Sequence, residues 1–166
     1  MDKGTEFCVT LRLPVVCSLR KLPTKAPLKT YSFSGKRILI CEDNHLNSMI
    51  AVKLLEKAGC VVDTAENGQF GIDRFNRSLP GFYSAILMDI RMPELDGLEA
   101  ARAIRALDRP DAKDVPIIAM SANAFAEDMQ KSMDAGMNAH MSKPIDPQKL
   151  YELLAQQIGA CTVEST

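Results

Sequence analysis

The chain has 166 residues, of which 46% are hydrophobic and 25% charged, and its formal net charge is −1. This length suits one domain with an extension, and the composition is that of an ordinary soluble globular protein. The small net charge argues against a protein that binds nucleic acid through bulk electrostatics, so no nucleic-acid partner is expected.

The cysteines and the apolar stretches indicate the compartment. The five cysteines are odd in number and lack the spacing of a metal site, which favours a reducing, cytoplasmic location. No apolar stretch approaches the about 20 residues that a membrane-spanning helix needs. Contact between this segment and a membrane is therefore not expected.

Residues 1–35 differ in pattern from the rest of the chain. Positions 6–13 alternate loosely between apolar and polar residues as a strand would, and a linker with several lysines and prolines follows. A single strand is not stable by itself, so residues 1–35 are expected to be an N-terminal extension or linker. Residues 160–166 are expected to be a C-terminal tail.

From residue 36 to residue 159 the pattern alternates short apolar stretches with amphipathic ones. The apolar stretches predict five strands, and the amphipathic stretches that follow them predict five helices. The predicted strands are residues 36–41, 60–65, 85–89, 115–120 and 137–141. Short loops between such elements are typical of an α/β doubly wound parallel sheet, and right-handed crossovers favour the flavodoxin-like (βα)5 strand order 2-1-3-4-5.

Ionisable or polar residues lie at the carboxyl ends of four of these strands or just beyond them. They are Glu42, Asp43, Asp89, Ser121 and Lys143. Because the carboxyl ends of parallel strands open on one edge of the sheet, we expect these side chains to converge. Three crowded carboxylates repel one another unless a cation is present, and Mg²⁺ prefers a few carboxylates, a carbonyl and retained waters. The strand ends therefore predict a magnesium site with one carboxylate left for another task.

This set of residues suits phosphoryl transfer. An Asp carboxylate beside magnesium and a fixed lysine can attack phosphorus and form an aspartyl phosphate. Lys143 and the metal would neutralise the phosphoryl oxygens, and the hydroxyl of Ser121 could donate a hydrogen bond to one of them. Each residue also has a plainer interpretation, as an acid in a first helical turn, a helix cap or a solvated lysine. The hypothesis depends on their joint position at the strand ends.

Residues from about 36 to 159 resemble the receiver domain of two-component response regulators, with all the motif blocks in order. The resemblance implies that Glu42 and Asp43 are the acidic pair that holds magnesium, with Mn²⁺ as an alternative ion. It implies that Asp89, in Met-Asp-Ile-Arg-Met-Pro-Glu-Leu-Asp-Gly, accepts the phosphoryl group and contacts the metal. The backbone carbonyl of Arg91 would be the remaining protein ligand, and no organic cofactor is implied.

The resemblance also assigns the residues that respond to phosphorylation. Ser121 matches the Ser/Thr that turns toward the phosphoryl group, and Lys143-Pro144 matches the family's lysine with its usually cis proline. Family members often have Tyr or Phe three positions before that lysine, where this chain has His140. His140 could pack as a ring beside Ser121, or it could be a partly exposed strand residue without a switching role. Phosphorylation would change the face formed by the fourth helix, the fifth sheet strand and the last helix.

Three short segments look like parts of a hybrid sensor histidine kinase. Residues 121–124 and 136–140 resemble receivers attached to such kinases, and residues 3–14 are similar to the end of a histidine-kinase ATP-binding domain. This implies a C-terminal receiver of a kinase that can be membrane-anchored, with a histidine kinase or a histidine phosphotransfer domain as phosphoryl donor. A strand within residues 6–17 that lacks its sheet could pair with a second copy, so a homodimer is left open.

Two other functions are kept as alternatives. A haloacid-dehalogenase-like phosphatase also forms an aspartyl phosphate beside magnesium, but it needs a second Asp two residues after the nucleophile, where this chain has Arg91. A pseudo-receiver would bind a partner without being phosphorylated, and His140 keeps that alternative open. Whether the chain counts as an enzyme is also open, because receivers catalyse their own aspartyl phosphorylation and dephosphorylation.

Overall fold

The computed structural model describes residue 10, residues 30–122 and residues 126–163, so the predicted strand within residues 6–17 falls almost wholly outside it. The described helices are α1 (His45–Lys57), α2 (Gly68–Arg77), α3 (Gly97–Ala106), α4 (Ala126–Asp134) and α5 (Pro147–Ile158). The described strands are β1 (Thr30–Ser32), β2 (Arg37–Cys41), β3 (Val61–Ala65), β4 (Ala85–Asp89), β5 (Ile117–Ser121), β6 (Ala139–Ser142) and β7 (Cys161–Val163). Within the part of the chain so described, no helix is both long and apolar enough to cross a membrane.

Strands β2 to β6 form one parallel sheet in the order β3-β2-β4-β5-β6. Counted within the sheet, this order is 2-1-3-4-5, so the predicted doubly wound, flavodoxin-like α/β fold is confirmed. The register pairs Cys41 with Met88 and Asp89 with Met120. The carboxyl ends of β2, β4 and β5 therefore lie side by side, and the residues that follow them share one edge of the sheet.

The central strands are covered on both faces, as their unbroken apolar sequences predict. Every position of β4 and β5 is buried. On one face α1 and α5 pack with Leu55 and Leu150, and on the other α2 and α3 pack with Phe75 and Ile104. These four side chains are fully buried. The sheet is thus a buried platform that presents polar side chains at its carboxyl edge.

The sequence pattern does not predict the second, two-stranded sheet. Strands β1 and β7 pair antiparallel, although the pattern assigns residues 30–35 to the extension and residues 160–163 to the tail. Phe33 is 1% exposed, its backbone N–H donates to the carbonyl of Ala58 over 2.8 Å, and its ring centroid lies 6.3 Å from that of Tyr151. Residues next to both predicted boundaries therefore pack onto the domain. Strands of three residues are too short to show a period.

Candidate functional site

Three carboxylates meet at the carboxyl edge of the sheet. One oxygen from each of Glu42, Asp43 and Asp89 lies within 4.8 Å of the other two, and we call these residues the acidic cluster. Glu42 is 3% and Asp89 5% exposed, whereas Asp43 is open to solvent. Hard oxygen donors with one side open to water suit a divalent ion such as Mg²⁺, which keeps several waters when it binds protein. The acidic cluster can therefore hold a metal ion.

Lys143 compensates the two buried acids of this cluster. Its Nζ lies 2.5 Å from Oε2 of Glu42 and 2.6 Å from Oδ2 of Asp89. Burial by itself would lower the pKa of Lys143, but the hydrogen bonds and charges of Asp89 and Glu42 outweigh it and raise that pKa. The peptide between Lys143 and Pro144 is cis. The site therefore contains a fixed positive charge directly beside Asp89.

The second oxygen of each buried carboxylate is also held. The backbone N–H of Arg91 donates to Oδ1 of Asp89 over 3.1 Å, and the side-chain amide of Asn47 donates to Oε1 of Glu42 over 2.9 Å. Arg91 thus lies beside Asp89, and the role of its carbonyl as a metal ligand stays a prediction. Asn47 lies in the first turn of α1, where no sequence pattern distinguishes it from a solvated residue.

The turn that follows Asp89 approaches its neighbours too closely for side chains at two positions. A Cβ on Gly97 would lie 2.0 Å from the carbonyl oxygen of Asp89, and a Cβ on Gly68 would lie 2.5 Å from the carbonyl oxygen of Leu95. Both neighbours are backbone atoms, which cannot move aside as a flexible side chain could. Glycine is therefore required at both positions, and the turn is fixed against β4 and α2.

Asn67 links this turn to α2. Its amide nitrogen donates to Oε2 of Glu94 over 2.8 Å, and its amide oxygen accepts from the backbone N–H of Phe70 and caps the helix. Glu94 has a φ of 65°, a left-handed conformation that is uncommon for residues other than glycine. Asparagine is a favoured residue at the start of a helix, but the sequence contains no local signal for the bond from Asn67 to a residue 27 positions away.

Ser121 is connected to two residues on the other side of the site. Its Oγ lies 2.9 Å from Nε2 of His140, and Nδ1 of the same ring lies 3.2 Å from Oγ of Ser132 in α4. His140 therefore contacts Ser121 by a hydrogen bond, which neither interpretation of its sequence position includes. The backbone N–H of Lys143 donates to the carbonyl of Ser121 over 2.7 Å. The predicted residues thus form two groups, Lys143 with the acidic cluster and Ser121 with His140.

Comparison with known proteins identifies one family. A family model for the response regulator receiver domain matches residues 38–155. The hybrid signal transduction histidine kinase L of Dictyostelium discoideum is 39% identical over 119 residues, which are 71% of this chain and 7% of that protein. Histidine kinase 5 of Arabidopsis thaliana is 35% identical over 159 residues, with 81% of this chain and 17% of that protein covered. The chain spans only a small part of these relatives.

Two solved receiver domains share the fold. The receiver of a sensor histidine kinase from Pseudomonas aeruginosa has a TM-score of 0.68 and 37% identity, with 76% of this chain and 99% of that chain covered. That structure has a magnesium ion coordinated in its active-site cleft. The receiver of a Saccharomyces cerevisiae response regulator, solved with a histidine phosphotransfer protein, has a TM-score of 0.66 and 27% identity, with coverage of 74% and 88%. With the predicted resemblance thus confirmed, this chain belongs to the response regulator receiver domain family.

Proposed function

We propose that this chain is a phospho-receiver of a two-component phosphorelay, in which Asp89 accepts a phosphoryl group from a phosphohistidine. The observation that carries this proposal is the position of Asp89 Oδ2, which lies 2.6 Å from Lys143 Nζ and within the acidic cluster. A buried carboxylate between a fixed cation and candidate metal ligands is placed to attack a phosphoryl group. Membership of the receiver family supports the same role.

The transfer exchanges one bond to phosphorus for another. A carboxylate oxygen of Asp89 forms an O–P bond while the N–P bond of the phosphohistidine breaks, and the donor imidazole leaves with the electron pair and takes up a proton. Lys143 neutralises part of the charge on the phosphoryl oxygens, and Ser121 can donate its hydroxyl hydrogen to one of them. Magnesium held by the acidic cluster and the Arg91 carbonyl would supply further charge neutralisation, with Mn²⁺ as a substitute to compare.

The proposed phosphoryl donor is a histidine kinase or a histidine phosphotransfer domain. The yeast relative was solved with a protein of the second kind. Directly after the acidic residues that follow β2, helix α1 exposes three apolar side chains: Leu46 at 63%, Met49 at 38% and Ile50 at 44%. Their spacing of three and four residues puts them on one face of the helix, and exposed apolar patches mark sites of protein contact. We propose that the donor docks on this face.

Phosphorylation is proposed to be read out on the opposite side of the site. The phosphoryl group adds a charge of about −1.5 to −2 at neutral pH, which draws Lys143 and Ser121 toward it. The movement would shift a pre-existing equilibrium of the face formed by α4, β6 and α5. We propose that in the full-length protein the receiver is part of a hybrid histidine kinase, which is what the Dictyostelium relative is named. We also propose that it lies in the cytoplasm.

The test is labelling of Asp89 with acetyl phosphate, and with phosphorylated histidine phosphotransfer domains, in the presence of Mg²⁺. Wild type should become labelled, and Asp89→Asn should lose the label because an amide oxygen is a poor nucleophile. Asp96→Asn is the matched control. Asp96 caps α3 by accepting from the backbone N–H of Glu99, and asparagine caps a helix equally well, so this variant should label like wild type.

Labelling, together with a measurement of binding to the histidine phosphotransfer domain, separates the phospho-receiver from the pseudo-receiver. If Asp89→Asn were labelled to the same level as wild type, Asp89 would not be the phosphoacceptor. A wild-type chain that binds a histidine phosphotransfer domain but is never labelled would support the pseudo-receiver instead.

A further inference from the structure

Three polar side chains connect the end of β5 to α4 through β6. Oγ of Ser121 lies 2.9 Å from Nε2 of His140, and Nδ1 of His140 lies 3.2 Å from Oγ of Ser132. Ser132 is fully buried and His140 half-buried. In the proposed function Ser121 donates its hydroxyl hydrogen to the phosphoryl group, so the direction of these two hydrogen bonds matters.

Ser132 determines that direction. Its Oγ donates to the backbone carbonyl of Asp128 over 2.8 Å, which is shorter than its 3.2 Å contact with the imidazole. A carbonyl oxygen can only accept, so the single hydroxyl hydrogen of Ser132 is committed to Asp128. Toward His140, Ser132 must then accept, and Nδ1 carries the imidazole hydrogen. In the neutral ring Nε2 is bare and can only accept, so Ser121 donates its hydrogen to His140.

We propose that Ser132 is a positioning residue, which acts through His140 to keep the hydroxyl hydrogen of Ser121 directed at β6 before phosphorylation. The functional consequence rests on the proposed phosphorylation of Asp89. A phosphoryl group on Asp89 competes with Nε2 for that hydrogen. The Ser121–His140 bond must therefore break or reverse when the phosphoryl group arrives.

Reversal would carry the signal into α4. The imidazole gives its Nδ1 proton to water and takes one from water at Nε2, which is feasible because His140 is half-buried in β6. Nε2–H then donates to Ser121, which can donate its own hydrogen to the phosphoryl group. Nδ1 is now bare, so Ser132 must turn its hydrogen from the carbonyl of Asp128 to the ring. A local bond within α4 is thereby exchanged for a bond to β6.

The first test measures the tautomer and requires no phosphoryl group. Imidazole ¹⁵N NMR at alkaline pH distinguishes the protonated nitrogen of a neutral ring from the bare one. The chain has two histidines, and the exposed His45 is the internal reference. We expect His140 to carry its hydrogen on Nδ1 and His45 to show the Nε2–H form usual for solvated imidazoles. A hydrogen on Nε2 of His140 would overturn the proposal.

The second test measures the affinity for beryllofluoride with Mg²⁺, a phosphoryl analogue, by amide NMR. In Ser132→Ala the Nδ1–H group of His140 loses the hydroxyl oxygen that accepts its hydrogen bond, so the ring can adopt the Nε2–H form. The analogue should then bind about threefold to tenfold more tightly, which is the equivalent of one hydrogen bond. His140→Phe removes the acceptor for Ser121 and should also tighten binding. The amide spectra report whether each variant is folded.

The double variant distinguishes a role through His140 from a merely structural one. If Ser132 acts through the imidazole, Ser132→Ala should have no further effect in the His140→Phe background. Equal effects in both backgrounds, or no effect in either, would overturn the proposal. If wild type neither binds beryllofluoride nor becomes labelled, the proposed function fails, and the tautomer measurement still decides the direction of the hydrogen bonds.

Discussion

The two sides of the site are held by different kinds of contact. On the side of β2 and β4, the turn after Asp89 is fixed by backbone atoms that leave no room for a Cβ on Gly97 or Gly68. On the side of β5 and β6, Ser121 is held by side-chain hydrogen bonds through His140. Close backbone packing cannot change without distorting the turn, whereas hydroxyl and imidazole groups can exchange partners. The contacts on the acidic side therefore hold it in place, whereas those on the Ser121 side can rearrange.

Lys143 is the residue that both sides share. Its ammonium binds Glu42 and Asp89, and its backbone N–H donates to the carbonyl of Ser121. Lys143→Met removes the charge and leaves two carboxylates uncompensated, with side chains only 1% and 7% exposed. We expect the free energy of unfolding in EDTA to fall by about 3–5 kcal/mol, measured by urea denaturation. This is the largest effect expected.

Saturating Mg²⁺ should restore part of that loss, because without the ammonium of Lys143 beside Glu42 and Asp89 the variant should bind the ion more tightly than wild type does. Lys149→Met, on the exposed side of α5, is the control and should change stability by less than about 0.5 kcal/mol. If Mg²⁺ stabilised neither wild type nor Lys143→Met, the acidic cluster would not be the metal site.

The pH dependence of this contribution follows from the raised pKa of Lys143. A raised pKa means that the stability from pairing is complete below the ordinary lysine pKa of about 10.4 and is lost as pH rises through the higher folded value. The difference in stability between wild type and Lys143→Met in EDTA should therefore stay constant from neutral pH to about 10 and shrink above it.

Gly97→Ala should disrupt the turn after Asp89 through a steric clash alone. Its Cβ would overlap the carbonyl oxygen of Asp89 at 2.0 Å, while the φ of Gly97 is not in the left-handed region. We expect a loss of about 3 kcal/mol in the free energy of unfolding and weaker Mg²⁺ binding, measured by urea denaturation and calorimetric titration.

Gly81→Ala provides the opposite case. Gly81 has a φ of +76°, and a Cβ there would meet nothing within 4 Å, so the cost is only the left-handed strain of about 1–2 kcal/mol. Its Mg²⁺ affinity should equal that of wild type. If Gly97→Ala and Gly81→Ala had similar stability and similar Mg²⁺ affinity, the close contact between Gly97 and the carbonyl of Asp89 would not be what holds the turn rigid.

Much of the fold follows from the sequence because the sheet strands are unbroken apolar stretches. Topology then brings the strand ends together, which is why the sequence alone predicts that Asp89 and Lys143 lie at one site. The small sheet of β1 and β7 could not be predicted, because its strands have three residues each. The burial of Phe33 likewise depends on the end of α1, far along the chain.

The residues that support the site are harder to predict than the residues that form it. Asn67 and Ser132 act through side-chain bonds to Glu94 and His140, which lie 27 and 8 positions away. No period or motif in the sequence indicates either bond, because its geometry arises only when two elements pack against each other. The sequence position of His140 left ring packing or exposure open, and the hydrogen bond to Ser121 became visible only in three dimensions.

Asn67→Ser is the smallest perturbation of the acidic side. Serine still accepts from the backbone N–H of Phe70 and caps α2, but it is too short to keep the 2.8 Å bond to Glu94. Without that bond the left-handed Glu94 can relax and the turn that carries Arg91 loosens. We expect a loss of about 1.5 kcal/mol in the free energy of unfolding, measured by urea denaturation, and a severalfold weaker affinity for Mg²⁺.

Asn44→Ser is the matched control. Asn44 caps α1 by accepting from two backbone N–H groups, and its side chain donates to no other element in the part of the chain that the structure describes. Its stability should change by less than about 0.5 kcal/mol. Beryllofluoride affinity adds a second comparison. Asn67→Ser should weaken the binding of the analogue, because it loosens the turn after Asp89. Ser132→Ala should strengthen that binding, because it frees the hydroxyl hydrogen of Ser121 from His140. Effects of the same sign in both variants would contradict this division of the site.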